Sequence, residues 1–449
     1  MKKKSNMIWV LALIFINFSC KKLISIDPPP TQLTTGNVFT NSSSVTAAAS
    51  NLYTVLGTVD ANFITSNGTY TDELITSNVD ATSVEFTNGV LTSVNSRVLS
   101  IWQNLYSTIY KCNSLIEGLQ GSVAIPDSLK NQCLGEAFFL RAYAHFMLTN
   151  IYGDVPLIIT TNVNANASAG RVSSNLVYQQ VITDLKNAIT LLPASYTGDG
   201  EKIRANKWAA TALLAKVYLY NSDYNDAENQ ATAVISSGQY TLLSNLNSVF
   251  LANSSEAILQ LWNANGYTTI NSVPASGKPA FQASSSLLNS FEAGDQRLAD
   301  WIKSTVVSGT TYHYPYKYKA RSATSGTNAE YTMYLRLADV YLIRAEARGQ
   351  QNELATATSD LNIIRSRAGL NNTTANTQSS LLSAIYQERR VEMFNEGGNR
   401  FFDLKRSGMI NTVLSPIKPL WKSAGALYSI PHSEILTDPN LTQNPGYNN

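Results

Sequence analysis

Helical periodicity is the feature that most constrains how this chain can fold. Eight segments place apolar residues at the i, i+3, i+4, i+7 spacing of an amphipathic helix. In one of them Leu140, Ala144, Met147 and Ile151 share a face. The predicted helices span residues 100–119, 129–151, 174–192, 207–221, 223–237, 334–348, 355–368 and 379–396. The pattern therefore predicts a mainly α-helical protein built from helical hairpins.

Two of these hairpins resemble tetratricopeptide units, in which small residues let two helices pack closely. In the hairpin 207–240, Ala209 and Ala215 lie on the first helix and Ala227 on the second. A second candidate spans 334–369. The repeats are too few to form a free solenoid.

Between the hairpins, residues 263–332 are rich in Gly, Ser, Thr and Tyr and have little helical pattern. We expect loops and short strands there. Loops held by a rigid frame are where binding residues usually lie. The expected organisation is one domain over 39–449, with hairpins mainly within 98–240 and 334–406.

The N-terminus has the pattern of an exported protein. An apolar run at 7–16 follows three lysines and is about half of the ~20 residues that a membrane-spanning helix needs. Residues 1–19 are therefore predicted to be a signal peptide. Ser19 precedes Cys20, which suits cleavage and lipidation at Cys20, although a plain signal peptide with an incidental cysteine is the alternative. Residues 20–38, with prolines at 28–30, suit a semi-stiff tether.

Charge and motif content exclude several function classes. Three of the 33 basic residues belong to the signal, so the remainder nearly balances the 31 acidic residues, and no basic stripe for nucleic acid is present. Only 14% of residues are charged, which favours an uncharged polar surface. The three histidines are scattered, and no HExxH, GxSxG or phosphate-loop motif occurs, so no metal or cofactor is predicted. Cys112 and Cys133 could form a disulfide or remain buried thiols.

The densest charged stretch, QERRVEMFNEGGNRFFDLKR, contains Glu388 and Glu392 one helical turn apart. Such a pair could serve glycoside hydrolysis, which needs two carboxyls flanking a cleft. Because arginines and lysines surround both glutamates, a structural ion-pair network is the favoured interpretation. Similar charge pairs are expected to tie helices together: Arg141 with Glu136, and Asp339 with Arg336 and Arg344.

Six stretches, in order along the chain, together resemble one family. They are CKKLISIDPPP, EAFFLRAYAHFMLTNIYGDVPL, LRLADVYLIRAEA, LNIIRSRAGL, QERRVEMFNEGGNRFFDLKRSG and YSIPHSEILTDPNLTQNPGY. With the 207–240 hairpin, the set resembles the SusD/RagB-like outer-membrane nutrient-uptake lipoproteins of Bacteroidetes. One departure is that Lys21 and Lys22 follow the cysteine, which leaves the face of the outer membrane open.

The resemblance implies a non-catalytic, lipid-anchored surface protein that captures an oligosaccharide and passes it to a SusC-like TonB-dependent transporter. Its fold would be a single SusD-like domain, with helical repeats towards the transporter and the ligand site on the loop-rich side. Capture of peptides or another nutrient is the nearest alternative. An exported glycosidase and a purely structural adaptor are more distant ones.

Sugar binding calls for aromatic faces beside amides, carboxylates or guanidiniums. The candidates in or beside the loop-rich segment are Trp262, Tyr267, Trp301, Asn263, Asn265, Asp295 and Arg297. Tyr312 and Tyr314 come from the alternating stretch 311–321, where cross-strand packing is the competing explanation. Asn67, Tyr70, Asp72 and Glu73 come from residues 64–80, which we expect to form a loop.

Overall fold

The computed structural model describes residues 38–268, 270 and 272–448, and within them it leaves the side chains at 55, 56 and 58–62 undescribed. The predicted lipidation site Cys20, the signal peptide and nearly all of the tether lie outside the described residues. Among the described residues, no helix has both the length and the apolar character needed to cross a membrane.

The fold is mainly helical, as predicted. The helices are α1 Ser42–Tyr70, α2 Ala81–Asn88, α3 Ser96–Gln120, α4 Asp127–Tyr152, α5 Val163–Asn166, α6 Ser174–Leu191, α7 Lys207–Tyr220, α8 Tyr224–Ser236, α9 Ser285–Leu288, α10 Gln296–Trp301, α11 Leu337–Gln350, α12 Leu354–Arg367, α13 Gln378–Glu392, α14 Asn399–Arg406, α15 Ile410–Leu414 and α16 His432–Thr437. All eight predicted helices are present. Two boundaries were wrong: Tyr334 belongs to a strand, and the last predicted helix ends at Glu392.

The long helices pack in sequence order. α3 packs on α4, α4 on α6, α6 on α7, α7 on α8, α8 on α11, and α11 on both α12 and α13. The small residues predicted at the α7–α8 contact, Ala209, Ala215, Ala227 and Ala231, are fully buried. The tetratricopeptide-like hairpins therefore form one continuous helical frame.

Helix α1 was not predicted, and residues 64–70, expected in a loop, form its last two turns. Its sequence is rich in Ser, Thr and Asn, which are poor helix formers, and its apolar stripe is weak. Tertiary packing stabilises it, because α1 lies against α3 and α4.

Six short strands form three antiparallel pairs. The strands are β1 Leu74–Thr76, β2 Ala257–Leu261, β3 Phe281–Ala283, β4 Ile302–Val307, β5 Thr310–Pro315 and β6 Thr332–Arg336. β1 pairs with β3, β2 with β6 and β4 with β5. The β4–β5 hairpin turns through two residues with positive φ, Ser308 at 50° and Gly309 at 78°, which suits a tight type I′ turn.

The two cysteines, on α3 and α4, are buried free thiols, so the disulfide alternative is not realised. Burial raises the pKa of Cys133 to about 11 and that of Cys112 further. His145 is fully buried, and its Nδ1 lies 3.1 Å from the Arg141 carbonyl. Burial lowers the pKa of His145 to about 3, which keeps this ring neutral in the core.

Candidate functional site

An open groove of about 1030 Å³ lies between α1 and the loop that follows β2. We call it the Trp262 groove. One wall is the α1 face formed by Ala47, Ser50, Asn51, Tyr53, Thr54 and Gly57. The opposite wall is formed by Ile203, Arg204, Leu261, Trp262, Asn263, Ala264, Asn265, Thr268 and Thr332. Its volume is at the upper end of the roughly 300–1,000 Å³ of ordinary ligand pockets.

Helix α1 is held close to the second wall. A side chain at Gly57 would place its Cβ 3.8 Å from the Leu261 Cδ1. The Ala205 amide donates a 2.9 Å hydrogen bond to the Tyr53 hydroxyl. These contacts join two segments that lie about 150 to 200 residues apart in the sequence, so the groove exists only in the tertiary structure.

The loop 262–268 is fixed by the neighbouring loop 324–330. The Asn265 amide nitrogen donates to the Asn263 Oδ1 at 2.8 Å, and the Thr324 amide donates to the Asn265 carbonyl at 2.9 Å. Gly266 has φ +65°, and an added Cβ would lie 2.3 Å from the Thr324 carbonyl oxygen. Only glycine permits this close approach, which orders the loop that carries Trp262.

Trp262 presents a ring that is 57% exposed, the largest exposed aromatic surface in the groove. Tyr331 packs beside it and is joined to it by a hydrogen bond. Around the ring, the side-chain amides of Asn51 and Asn265 have no partner in the described part of the chain. An apolar face next to unpaired amides suits a ligand with C–H faces and hydroxyl groups.

Arg204, the charged residue in the described groove lining, is already paired. Arg204 donates to both carboxylate oxygens of the buried Glu136, at 2.8 and 2.6 Å. The Lys202 Nζ donates to the Ser254 carbonyl at 2.8 Å. Burial lowers the pKa of Lys202 to about 8. Apart from the compensated Arg204, the described lining therefore consists of uncharged polar and apolar groups.

Three of the predicted ligand residues, Trp262, Asn263 and Asn265, lie together in this groove. Tyr267 belongs to the same loop but is outside the groove lining and only partly exposed. Trp262 follows directly after β2, which ends at Leu261, and its side chain lines the cavity.

Three other candidates belong to the core. Trp301 is 0% exposed, and its indole nitrogen donates to the Leu246 carbonyl at 3.0 Å. Arg297, also fully buried, binds Asp295 at 2.8 Å and Glu392 at 2.9 Å. A ligand cannot reach these groups, so we correct their placement: they stabilise the interior.

The four candidates from residues 64–80 are also buried. The Asn67 side chain lies 3.5 Å from the Tyr428 hydroxyl, and the Tyr70 hydroxyl donates to the Gly425 carbonyl at 2.9 Å. Asp72 is paired with Arg390 and Arg400 at 2.6 and 2.7 Å. These residues attach the end of α1 to the C-terminal part of the chain, and they are corrected to a structural position.

Glu73 completes this group and differs from its neighbour. Burial, and then the charge of Asp72, raises the pKa of Glu73 to about 7. Burial also acts on Asp72, but Arg400 and Arg390 outweigh it and lower the pKa of that carboxyl. At neutral pH Asp72 is therefore ionised, whereas Glu73, which forms no ion pair with an arginine in the described part of the chain, is only partly ionised.

The tyrosine stretch divides between surface and core. Tyr312 is partly exposed, with the Lys278 ammonium 5.1 Å from its ring centre, whereas Tyr314 is buried against Tyr316. Pro315 ends β5, so the predicted alternation stops there. Lys317, which follows this strand, is buried and donates to the Glu396 carboxylate at 2.6 Å.

Glu388 and Glu392 are 1% and 0% exposed and belong to a buried Arg–Glu network, as the charge pattern predicted. The network joins Arg297, Arg336, Arg365 and Arg367 to Glu256, Glu388, Glu392 and Glu396. Burial opposes ionisation of Glu392, but Arg367, Arg336 and Arg297 hold its pKa well below the usual range. Because the Glu388 and Glu392 carboxyls are inaccessible to a ligand, this pair cannot form a hydrolytic site.

Two other predicted ion pairs were wrong in their partners. Arg141 binds Asp184 at 2.7 Å, while Glu136 binds Arg204. Asp339 is paired with Lys216 at 3.1 Å and with Arg389 at 3.0 Å. Spacing along one helix had suggested neighbours, but the partners come from other helices. Among the described residues, no cluster of three or more potential metal ligands occurs.

Sequence reasoning missed the α1 wall and the 203–204 segment of the groove. Ser50, Asn51 and Tyr53 lie in a polar helix that had no recognised pattern, and Ile203 and Arg204 lie in a loop far from Trp262 in sequence. The one signal that pointed to this region was the aromatic and amide content of Trp262–Asn265.

A helical-repeat frame that supports one open, aromatic and amide-lined groove defines a class of small-ligand binding protein. Two family models match the chain: residues 32–219 match one described as starch-binding associating with outer membrane, and residues 297–419 match the SusD family. The chain belongs to the SusD/RagB-like family.

Known proteins resemble this chain in sequence or structure over almost its whole length. SusD-like protein P25 of Formosa agariphila is 24% identical, over 100% of this chain and 99% of that protein. A SusD superfamily protein from Bacteroides vulgatus superposes with a TM-score of 0.80 at 21% identity, covering 91% of this chain and 100% of that one. A laminarin-binding SusD-like protein is 26% identical with a TM-score of 0.79, covering 91% of this chain and 100% of that one.

Proposed function

We propose that this protein captures a glycan in the Trp262 groove at the bacterial outer membrane. The observation that carries the proposal is the half-exposed Trp262 ring in a cavity of about 1030 Å³, beside unpaired amides. Indole faces stack on the C–H faces of sugar rings, and amides both donate to and accept from hydroxyl groups. The family description and the laminarin-binding relative support a glycan ligand.

We also propose that residues 1–19 are removed, that Cys20 is lipidated and that 20–38 form a tether to the single domain 39–449. In this role the protein would pass its ligand to a SusC-like TonB-dependent transporter. Isolation of the full-length protein from outer membranes should recover such a transporter. A Cys20→Ser variant should lose membrane association but keep ligand binding, and membrane association that survives the substitution would contradict lipidation at Cys20.

The groove is tested by isothermal titration of residues 21–449 with laminarin and starch oligosaccharides, and with a panel of peptides. We expect one glycan class to bind, and Trp262→Ala to weaken that binding by at least about tenfold because the stacking surface is lost. Tyr110→Ala is the matched control, since Tyr110 is 48% exposed on α3 and lies outside the groove.

The alternatives give different results in the same experiment. Peptide binding that depends on Trp262 would favour nutrient capture of another kind. Glycan binding that is unchanged in Trp262→Ala would contradict the groove as the site. Absence of any ligand in either panel would contradict the proposed function.

A further inference from the structure

We propose that the Trp262 groove selects uncharged glycans and discriminates against glycans that carry carboxylate or sulfate groups. This inference rests on the proposed function and names the class of ligand more closely. Among the described lining residues, Arg204 is the one that carries a formal charge. All the others are apolar, hydroxyl or amide side chains, or glycine.

Arg204 is not available to an anionic ligand. Its Nε and Nη2 atoms donate to the two oxygens of Glu136, at 2.8 and 2.6 Å, and the Glu136 carboxylate is fully buried. A ligand carboxylate that attracted Arg204 away would leave the buried Glu136 charge with a hydrogen bond from Gln132 but no cation, which is a costly change. The pair therefore contributes no net charge to the groove.

Lys202, the basic residue two positions before Arg204, lies outside the groove lining and its ammonium has other partners. The Lys202 ammonium donates to the Ser254 carbonyl and lies 5.2 Å from the centre of the Tyr240 ring.

The groups that face the ligand match hydroxyls better than anions. The amides of Asn51 and Asn265 can donate and accept, as sugar hydroxyls do, whereas a carboxylate or sulfate only accepts. The face of an aromatic ring carries partial negative charge, which disfavours an anionic group on a stacked sugar. An anionic group on the ligand would therefore lose hydration in the groove without gaining an interaction that compensates for the loss.

The test compares one glycan in two charge states. Laminarin and starch oligosaccharides are titrated beside the same chains after oxidation of their primary hydroxyls to carboxylates. We expect the oxidised form of the bound glycan to bind about tenfold more weakly or worse at low salt, and the neutral form to bind equally at low and high salt. Equal or tighter binding of the oxidised form would overturn the inference.

A second test introduces a positive charge, either into the groove or, as a control, at an exposed position outside it. Asn265→Lys should raise the affinity ratio of oxidised to neutral glycan by about tenfold, because it adds an uncompensated cation. Asn372→Lys, at an exposed position in the loop before α13, should leave the ratio unchanged. An unchanged ratio in Asn265→Lys would overturn the inference.

Failure of the proposed function has a different signature. If an anionic glycan binds and Trp262→Ala abolishes it, glycan capture stands and selection for neutral chains is wrong. If neither charge state binds, the proposed function fails and the inference fails with it.

Discussion

Trp262 lies just before the loop-rich segment and Trp301 lies within it, and the two have opposite surroundings. Trp301 is 0% exposed, donates to the Leu246 carbonyl and has the Lys317 ammonium 4.7 Å from its ring centre. Trp262 lies in an open groove lined by amides. In the core, the Trp301 ring packs against the buried Lys317 ammonium. In the groove, the Trp262 ring remains accessible to solvent and ligand. Residue type alone does not assign a role here.

The same contrast holds for the charged residues of the two regions. The Arg–Glu network is buried and compensated by short ion pairs, and the groove contains one compensated arginine. We expect changes in the core to act on stability and changes in the groove to act on ligand affinity. The following variants test this separation.

The largest effect is expected from Arg336→Met. Arg336 binds Glu256, Glu392 and Glu396 at 3.0, 2.6 and 2.8 Å, so its removal takes one cation away from three buried carboxylates and leaves their negative charge under-compensated. We expect the free energy of unfolding, measured by urea denaturation, to fall by about 3–5 kcal/mol. Lys186→Met, at an exposed position on α6, should change it by less than about 0.5 kcal/mol. A loss below about 1 kcal/mol for Arg336→Met would show that the network is not structurally important.

Trp301→Ala should have a stability effect of similar or slightly smaller size. It empties a fully buried site beside Phe250 and Phe394, for which about 3–5 kcal/mol is typical. Chemical denaturation measures the loss, and titration with the bound glycan should give wild-type affinity while the variant is folded. A loss of glycan affinity in the folded variant would show that the core around Trp301 affects the groove, and would contradict the separation of the two regions.

Glu73→Gln should change how stability depends on pH. The pKa of Glu73 is raised to about 7 in the folded protein, so between about pH 4.3 and pH 7 the folded state keeps a proton that the unfolded state has lost. Wild-type stability must therefore fall through this window as pH rises. Glutamine stays neutral, so the stability of the variant relative to wild type should increase by up to roughly 3 kcal/mol from pH 4.5 to pH 7.5. Parallel denaturation profiles of the two proteins would contradict a neutral Glu73.

Gly266→Ala should affect both stability and binding. It combines φ +65° with a Cβ 2.3 Å from the Thr324 carbonyl oxygen, and we expect a loss of about 1–3 kcal/mol. Displacement of the loop should also weaken glycan binding. Gly309→Ala is the matched control, because φ is +78° there and no atom lies within 4 Å of the added Cβ. Equal losses in the two variants would mean that the contact with Thr324 has no energetic role.

Trp262→Ala should give the smallest change in stability. The ring is more than half exposed, so unfolding free energy should stay within about 0.5 kcal/mol of wild type while ligand affinity falls. The pair of tryptophan variants then separates the two regions. A large loss of stability in Trp262→Ala would make this ring part of the core.

Part of this structure could be predicted because its signals are local. Apolar spacing located eight helices, and small residues identified the α7–α8 hairpin. Charge density around Glu388 and Glu392 correctly indicated ion pairs. Helix α1 escaped prediction because its Ser-, Thr- and Asn-rich sequence has weak helical preference, and packing on α3 and α4 stabilises it.

By itself the sequence determined the helical frame and, through ordered motifs, the family, because periodicity and motif order require no knowledge of distant contacts. Tertiary structure decided which tryptophan is accessible, which acid pairs with Arg141, which bases pair with Asp339, and which residues of α1 face Trp262. Burial and ion pairing are sums over neighbours from distant parts of the chain. A site built from residues near 50, 204 and 262 therefore appears only when the chain is folded.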